Sequence, residues 1–144
     1  MCAKQELKQK LIQHLVDFEE AQAVILDDFF PKPSSEREVI QKLMDKYISH
    51  LEMLIININE GREIELPVLI GGRLELKDRL TKEVVKIIVG SPYGYEAQDG
   101  HYHLSWLSEP GQYLMLKRMT EQVKVTLEGR EYCGWVTNIN HPFL

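Results

Sequence analysis

The sequence predicts an α+β protein: an antiparallel helical hairpin, of coiled-coil type, followed by an antiparallel β-sheet domain with one short helix. Three observations lead there. Apolar residues recur every three or four positions through two stretches of similar length. A proline-containing turn separates those stretches. Beyond Gly61 the period falls toward two, and β-branched residues and turn dipeptides replace the helical stripes.

The first stripe runs through Leu7, Leu11, Leu15, Phe18, Ala21 or Gln22, and Ile25, which predicts a helix over residues 4–28. Phe29-Phe30-Pro31-Lys32-Pro33-Ser34-Ser35 stops it, because each proline disfavours helical geometry in the residue before it. Ser35 with Glu38 three residues later makes a capping-box pattern, and Val39, Leu43, Tyr47, Leu51, Leu54 and Ile58 continue at helical spacing to about residue 59. Gly61 suits the end of that helix. Two such helices joined by a short turn bury their facing stripes by packing antiparallel, each on the order of 33–37 Å long at ~1.5 Å per residue.

In the second half, Leu74 and Leu76 alternate with Arg73, Glu75 and Lys77, and residues 84–89 form an apolar run of strand length. Asp99-Gly100, between a segment ending in Tyr95-Glu96-Ala97 and residues 101–107, reads as a hairpin signal, as does Glu128-Gly129 between residues 123–127 and 131–139. Residues 109–118 suit one short helix. The expected order is strand, strand, strand, short helix, strand, strand, with domain boundaries at 1–61 and 66–144.

Composition narrows the class. A hydrophobic fraction of 44% with 27% charged residues argues against disorder, and no apolar run approaches the roughly 18 to 20 residues of a bilayer span. The start, MCAKQELKQK, lacks the apolar core of a secretory signal, so a cytoplasmic protein is expected. Cys2 and Cys133 are expected to be reduced and structural. A net charge of −5 argues against gripping nucleic acid through its phosphates. Residues 1–65 carry 13 acidic against 8 basic side chains, and residues 66–144 carry 9 of each, so the whole excess is N-terminal. No Lys or Arg falls between Lys10 and Lys32, where Asp17, Glu19, Glu20, Asp27 and Asp28 cluster.

Four groups of residues in the second half carry a family resemblance: Val68-Leu69-Ile70-Gly71-Gly72-Arg73-Leu74-Glu75-Leu76, Lys86-Ile87-Ile88-Val89-Gly90, Leu107-Ser108-Glu109-Pro110 and Glu121-Gln122-Val123-Lys124-Val125. In this order they resemble the landmarks of the C-terminal domain of the bacterial GreA/GreB family of transcription elongation factors, over roughly residues 67–140. Glu109, inserted between the Ser and the Pro, departs from that pattern, as do Tyr113 and Lys117 in the helix that follows. The resemblance implies an FKBP-like sheet domain that docks on RNA polymerase near its secondary channel, with the arm pointing inward. No sequence-specific contact with nucleic acid is expected.

In cleavage-competent relatives two acidic side chains at the arm's tip help hold Mg²⁺ in the polymerase's own active site, since this hard cation prefers carboxylate oxygens. The chain is therefore expected to need no cofactor of its own, sharing Mg²⁺ with the polymerase at most. Here Asp27, Asp28 and Glu36 flank the turn, together with Phe29 and Phe30, and these five are the tip candidates. The Asp-Glu spacing of an active tip is missing. The arm is also shorter than in full-length relatives by about 5 to 8 residues per helix, or roughly 10 Å of reach, and similar in size to the regulator of nucleoside diphosphate kinase. A polymerase-binding regulator without strong cleavage activity is the leading expectation. The alternatives are a cleavage-stimulating factor and an interaction module with another partner. Docking candidates are Ser108, Pro110, Lys117 and Arg118.

Plainer readings stand beside these. Acids in the first turn of a helix, such as Glu36 and Glu38, are favoured by the helix dipole without any function. Phe29 and Phe30 are expected to pack over the end of the two-helix seam, although an exposed pair at a tip would suit contact with a partner. His101 and His103 with Asp99 or Glu96 have the residue types for zinc, but two histidines near a turn are more often surface polarity. Aromatic residues such as Trp106 and Trp135 would also suit a prolyl isomerase, although that enzyme's motifs are missing. No Gly-rich phosphate loop, HExxH or nucleophile elbow occurs, and the chain is read as an accessory factor rather than an enzyme.

Overall fold

The computed structural model describes residues 3–94 and 100–144. Cys2, the Tyr95-Glu96-Ala97 segment and Asp99 lie outside the described residues, so the hairpin expected at Asp99-Gly100 lies outside them too. The chain divides into two compact units, residues 1–64 and 65–143.

The first unit is the helical hairpin: α1, Ala3–Phe29, and α2, Ser35–Asn59. The seam buries Leu11, Phe18, Ile25 and Leu26 from α1 against Ile40, Met44, Tyr47, Leu51, Leu54 and Ile58 from α2. The stripe on α2 begins one residue later than expected, at Ile40, since Val39 is 58% exposed. The N-cap is likewise Ser34 and not Ser35. Ser34 keeps extended geometry (φ −159°), and its hydroxyl accepts the Arg37 N–H at 3.0 Å, whereas Ser35 is already helical. At mid-seam the Tyr47 ring meets Phe18 edge-on, with centroids 4.9 Å apart, and its hydroxyl shares a 2.7 Å hydrogen bond with His14 Nε2. Burial pushes the His14 imidazole below its ordinary pKa, partly offset by Asp17. None of the helices among the described residues is long and apolar enough to cross a membrane.

The second unit is a curled five-stranded sheet with one helix: β1 Arg73–Asp78, β2 Val84–Gly90, β3 His101–Ser105, α3 Glu109–Leu114, β4 Gln122–Leu127 and β5 Arg130–Asn140. This is the element order expected. Strand order across the sheet is β3-β2-β1-β5-β4. Three ladders are antiparallel, but β3 runs parallel to β2, pairing Lys86 with His101 and Gly90 with Ser105, so the sheet is mixed. Tight two-residue turns join only antiparallel strands, and ten residues separate the end of β2 from the start of β3. Glu128-Gly129 does form the expected two-residue turn between β4 and β5.

Alternation places Leu74, Leu76, Ile87, Val89, Val125, Tyr132 and Val136 in the core, joined by Trp106, Leu114, Val68 and Leu69. The end of α3 is tied to the lead-in of β1. Leu116 turns back with φ +66°, its N–H bonds Val68 O at 2.7 Å, and Val68 N–H bonds Lys117 O at 2.8 Å.

Asp78, at the end of β1, is a buried carboxylate that the sequence reading passed over. It accepts backbone N–H bonds from Thr81 (2.9 Å) and Leu80 (3.2 Å) in the β1–β2 turn, the Thr81 hydroxyl (3.0 Å), and the Cys133 N–H of β5 (3.0 Å). Backbone donation from Thr81 and then Cys133 outweighs the desolvation that opposes it, and the carboxyl is lowered from 3.8 to about 2. One residue away on β5, a Cβ on Gly134 would sit 1.8 Å from Lys77 O, so β1 and β5 approach too closely for any side chain there.

Two outcomes follow from this geometry. Gly134→Ala forces the β1–β5 ladder apart and costs about 1–3 kcal/mol, read from denaturant unfolding. Because the folded Asp78 pKa is depressed, its contribution to stability is full above 3.8 and is lost as pH falls through about 2. Thermal unfolding of Asp78→Asn from pH 5 to pH 2 should therefore start below wild type and lose less on acidification. Parallel curves for the two proteins would contradict this role.

Candidate functional site

The tip of the hairpin is organised by a residue that the sequence reading did not single out. α1 carries Asp27 and Asp28 in a last turn that has no basic residue, so a cation opposing the negative end of its dipole has to come from elsewhere in the chain. Arg37, in the first turns of α2, supplies it from across the hairpin. Its guanidinium donates to Leu26 O at 3.2 Å and Phe30 O at 2.5 Å, and lies 3.4 Å from the Asp27 carboxylate. One planar fork thus closes the helix end and reaches one of the acidic candidates.

Of the other tip candidates, Asp28 and Glu36 are exposed, Phe29 is 41% exposed and Phe30 is half-buried. Glu36 sits in the first turn of α2. What the tip presents is an aromatic and proline-containing turn, held by the Arg37 fork on one side and the Ser34 cap on the other. Among the described residues no three His, Cys, Asp or Glu side chains come together as a metal-holding group. Asp27 meets the guanidinium through Oδ1 alone, and its side chain stays largely exposed.

The docking candidates separate when placed on the fold. Ser108 is the N-cap of α3: its hydroxyl donates to Ser105 O at 2.6 Å and accepts the Gly111 N–H at 3.1 Å. Gly111 lets the helix sit against that turn, since a Cβ there would lie 1.9 Å from Ser105 O. The helix ends at Leu114, earlier than the expected 118, so Lys117 and Arg118 lie in the following turn and not on a helix end. Lys117 is occupied within the fold, 4.4 Å from the centre of the Tyr113 ring and 3.8 Å from Glu121. Arg118 is exposed, and its N–H bonds Glu121 Oε2 at 2.9 Å.

Pro110 does line a groove, of about 440 Å³, between α3 and β4. Glu109, Tyr113, Lys124, Val125 and Thr126 complete it, and the Tyr113 hydroxyl accepts the Lys124 N–H at 3.2 Å. Tyr113, visible in the sequence only as a departure from the family pattern, is the aromatic wall of this groove and is 40% exposed. On the other side of Pro110, His101 and His103 line a wider groove with Tyr102, Thr126 and Leu127. Burial lowers the His103 pKa, and the carboxylates considered with these histidines, Glu96 and Asp99, lie outside the described residues.

Removing the fork tests the tip. Arg37→Ala should destabilise the protein by about 1–2 kcal/mol, read from unfolding, and speed amide exchange near Phe30 more than at mid-seam Tyr47. Arg37→Lys, which keeps charge but not the planar fork, should recover only part of the loss.

No family model matches the chain, and no curated protein does. Several solved structures are similar to it. GreA factor homolog 1 (Gfh1) of Thermus thermophilus is 17% identical, with a TM-score of 0.48 over 92% of this chain and 94% of that one. Thermus aquaticus Gfh1 is also 17% identical, with a TM-score of 0.46 over 95% and 92% of the two chains. The prokaryotic transcription elongation factor GreA/GreB from Nitrosomonas europaea is 11% identical, with a TM-score of 0.45 over 76% of this chain and all of that one.

Proposed function

We propose that this chain is an RNA-polymerase-binding regulator of transcription elongation of the Gre type, one that does not strongly stimulate transcript cleavage. The sheet domain binds the polymerase surface through the α3–β4 groove, and the helical arm serves as a probe of the secondary-channel region. The ordered landmarks of residues 68–76, 86–90, 107–110 and 121–125, set on a helical hairpin followed by a curled sheet, support the polymerase as partner.

The Arg37 fork is the observation that carries the non-cleaving half of the reading. A carboxylate lent to another enzyme's Mg²⁺ gives up competing cations, and Asp27 Oδ1 lies 3.4 Å from a guanidinium that also closes the helix end. Displacing that arginine means giving up three interactions at once. The tip also presents Phe29, beside the exposed Asp28 and Glu36, as an aromatic contact surface.

Two measurements test this function. Core RNA polymerase should co-purify with the chain, and Tyr113→Ala should weaken the complex roughly tenfold or more, as loss of a central aromatic anchor does. Absence of a wild-type complex would sink the reading. In a backtracked elongation complex, the chain should leave RNA shortening at the polymerase's intrinsic rate. Shortening that wild type accelerates, and that Asp27→Ala with Asp28→Ala abolishes, would return the tip to a metal-lending role.

A further inference from the structure

Beside the α3–β4 groove lies a smaller cavity of about 190 Å³ lined by two cationic residues, Arg79 and Lys124, and by further residues that carry N–H donors. Arg79, Gln122, Lys124 and the half-buried Trp135 line it, with Tyr113 as a further wall, and no carboxylate does. Among the described residues the Arg79 guanidinium has no ion-pair partner and the Trp135 indole N–H has no hydrogen-bond partner. Lys124 is only loosely compensated, 3.5 Å from an exposed Glu131. The root of Arg79 is fixed in place, since its N–H bonds Cys133 O at 2.9 Å beside the Asp78 knot.

We propose that this cavity receives one carboxylate side chain, an Asp or Glu, of the protein on which the chain docks. Its size decides between ligand classes. Sites for small-molecule ligands run from about 300 to 1,000 Å³, so this one is of side-chain dimensions. Its chemistry decides the charge: a guanidinium fork matches a carboxylate in two parallel hydrogen bonds, with the indole N–H and Lys124 able to complete its shell. The aromatic faces of Trp135 and Tyr113 suit the methylene stem of such a side chain.

Continuity ties the cavity to the docking surface. Tyr113 and Lys124 line both it and the α3–β4 groove, so one partner segment placing an apolar side chain against Pro110 and Tyr113 sets its acid beside Arg79. The inference rests on the docking reading above and adds what selects the partner: an apolar residue flanked by an acidic one. Arg79 is the specificity-determining charge.

The test compares variants of the full chain for binding to core RNA polymerase. Arg79→Glu should weaken binding roughly tenfold or more, Arg79→Lys should retain most of the affinity, and Arg79→Gln should flatten its salt dependence. Arg79 is exposed, and unchanged unfolding curves would separate lost contact from lost fold. If Tyr113→Ala weakens the complex while Arg79→Glu binds within twofold of wild type, the carboxylate pocket is wrong and the docking groove stands. If wild type does not bind polymerase, both fall together. If Arg79→Glu instead abolishes self-association of the chain, the occupant is an acid of a second copy and the assignment to a docking partner is overturned.

Discussion

The sheet domain turns on the carboxylate of Asp78. Four donors from two separate parts of the chain converge on it, and together they hold the β1–β2 turn against β5. A buried carboxylate without such donors would be costly, and with them it becomes a fixed point. Everything proposed for the outer residues inherits that point. Arg79 follows Asp78 directly and bonds Cys133 O, while Gly134, opposite Asp78 in the ladder, admits the close approach of β1 and β5. The donor-lined cavity is assembled around the same place, so fold and recognition share one constraint.

A similar economy governs the arm. Placing two acidic residues in the last turn of α1 sets carboxylates against the negative end of a helix dipole, an arrangement that favours some outside cation. A divalent ion and a guanidinium are both answers to that electrostatic demand. This chain supplies the guanidinium from its own second helix, together with the geometry to satisfy Leu26 O and Phe30 O. The acidic run near the turn therefore reads differently in space than along the chain, where Arg37 stands ten residues from Asp27.

Periodicity made most of the fold legible. The two helical stripes, the break near Gly61, the order of five strands around one helix and the Glu128-Gly129 turn all follow from local pattern, which is what short-range sterics and one-sided burial write into a sequence. Features depending on pairs distant in the chain were not legible. The parallel run of β3 beside β2 is one, since alternation reports which face is buried and not which neighbour a strand takes. Asp78 carried no signal in the sequence, because its Cys133 partner is 55 residues away. At the candidate site, Ser108 and Pro110 were visible through their landmark, but Lys117 and Arg118 looked like a helix end because nothing local announces the left-handed turn at Leu116. Tyr113, Lys124 and Arg79 become a surface only once α3, β4 and the β1–β2 turn meet.

The central claim is that this chain binds a polymerase through the α3–β4 surface while its tip makes contact without lending a metal ligand. Hydrogen–deuterium exchange of the full chain, alone and saturated with core RNA polymerase, addresses it most directly. The account predicts slowed exchange in α3 and β4 around Tyr113 and Lys124 and in the turn around Phe29 and Phe30, with mid-seam residues near Tyr47 unchanged. Protection confined to other surfaces, or none at saturating polymerase, would contradict it.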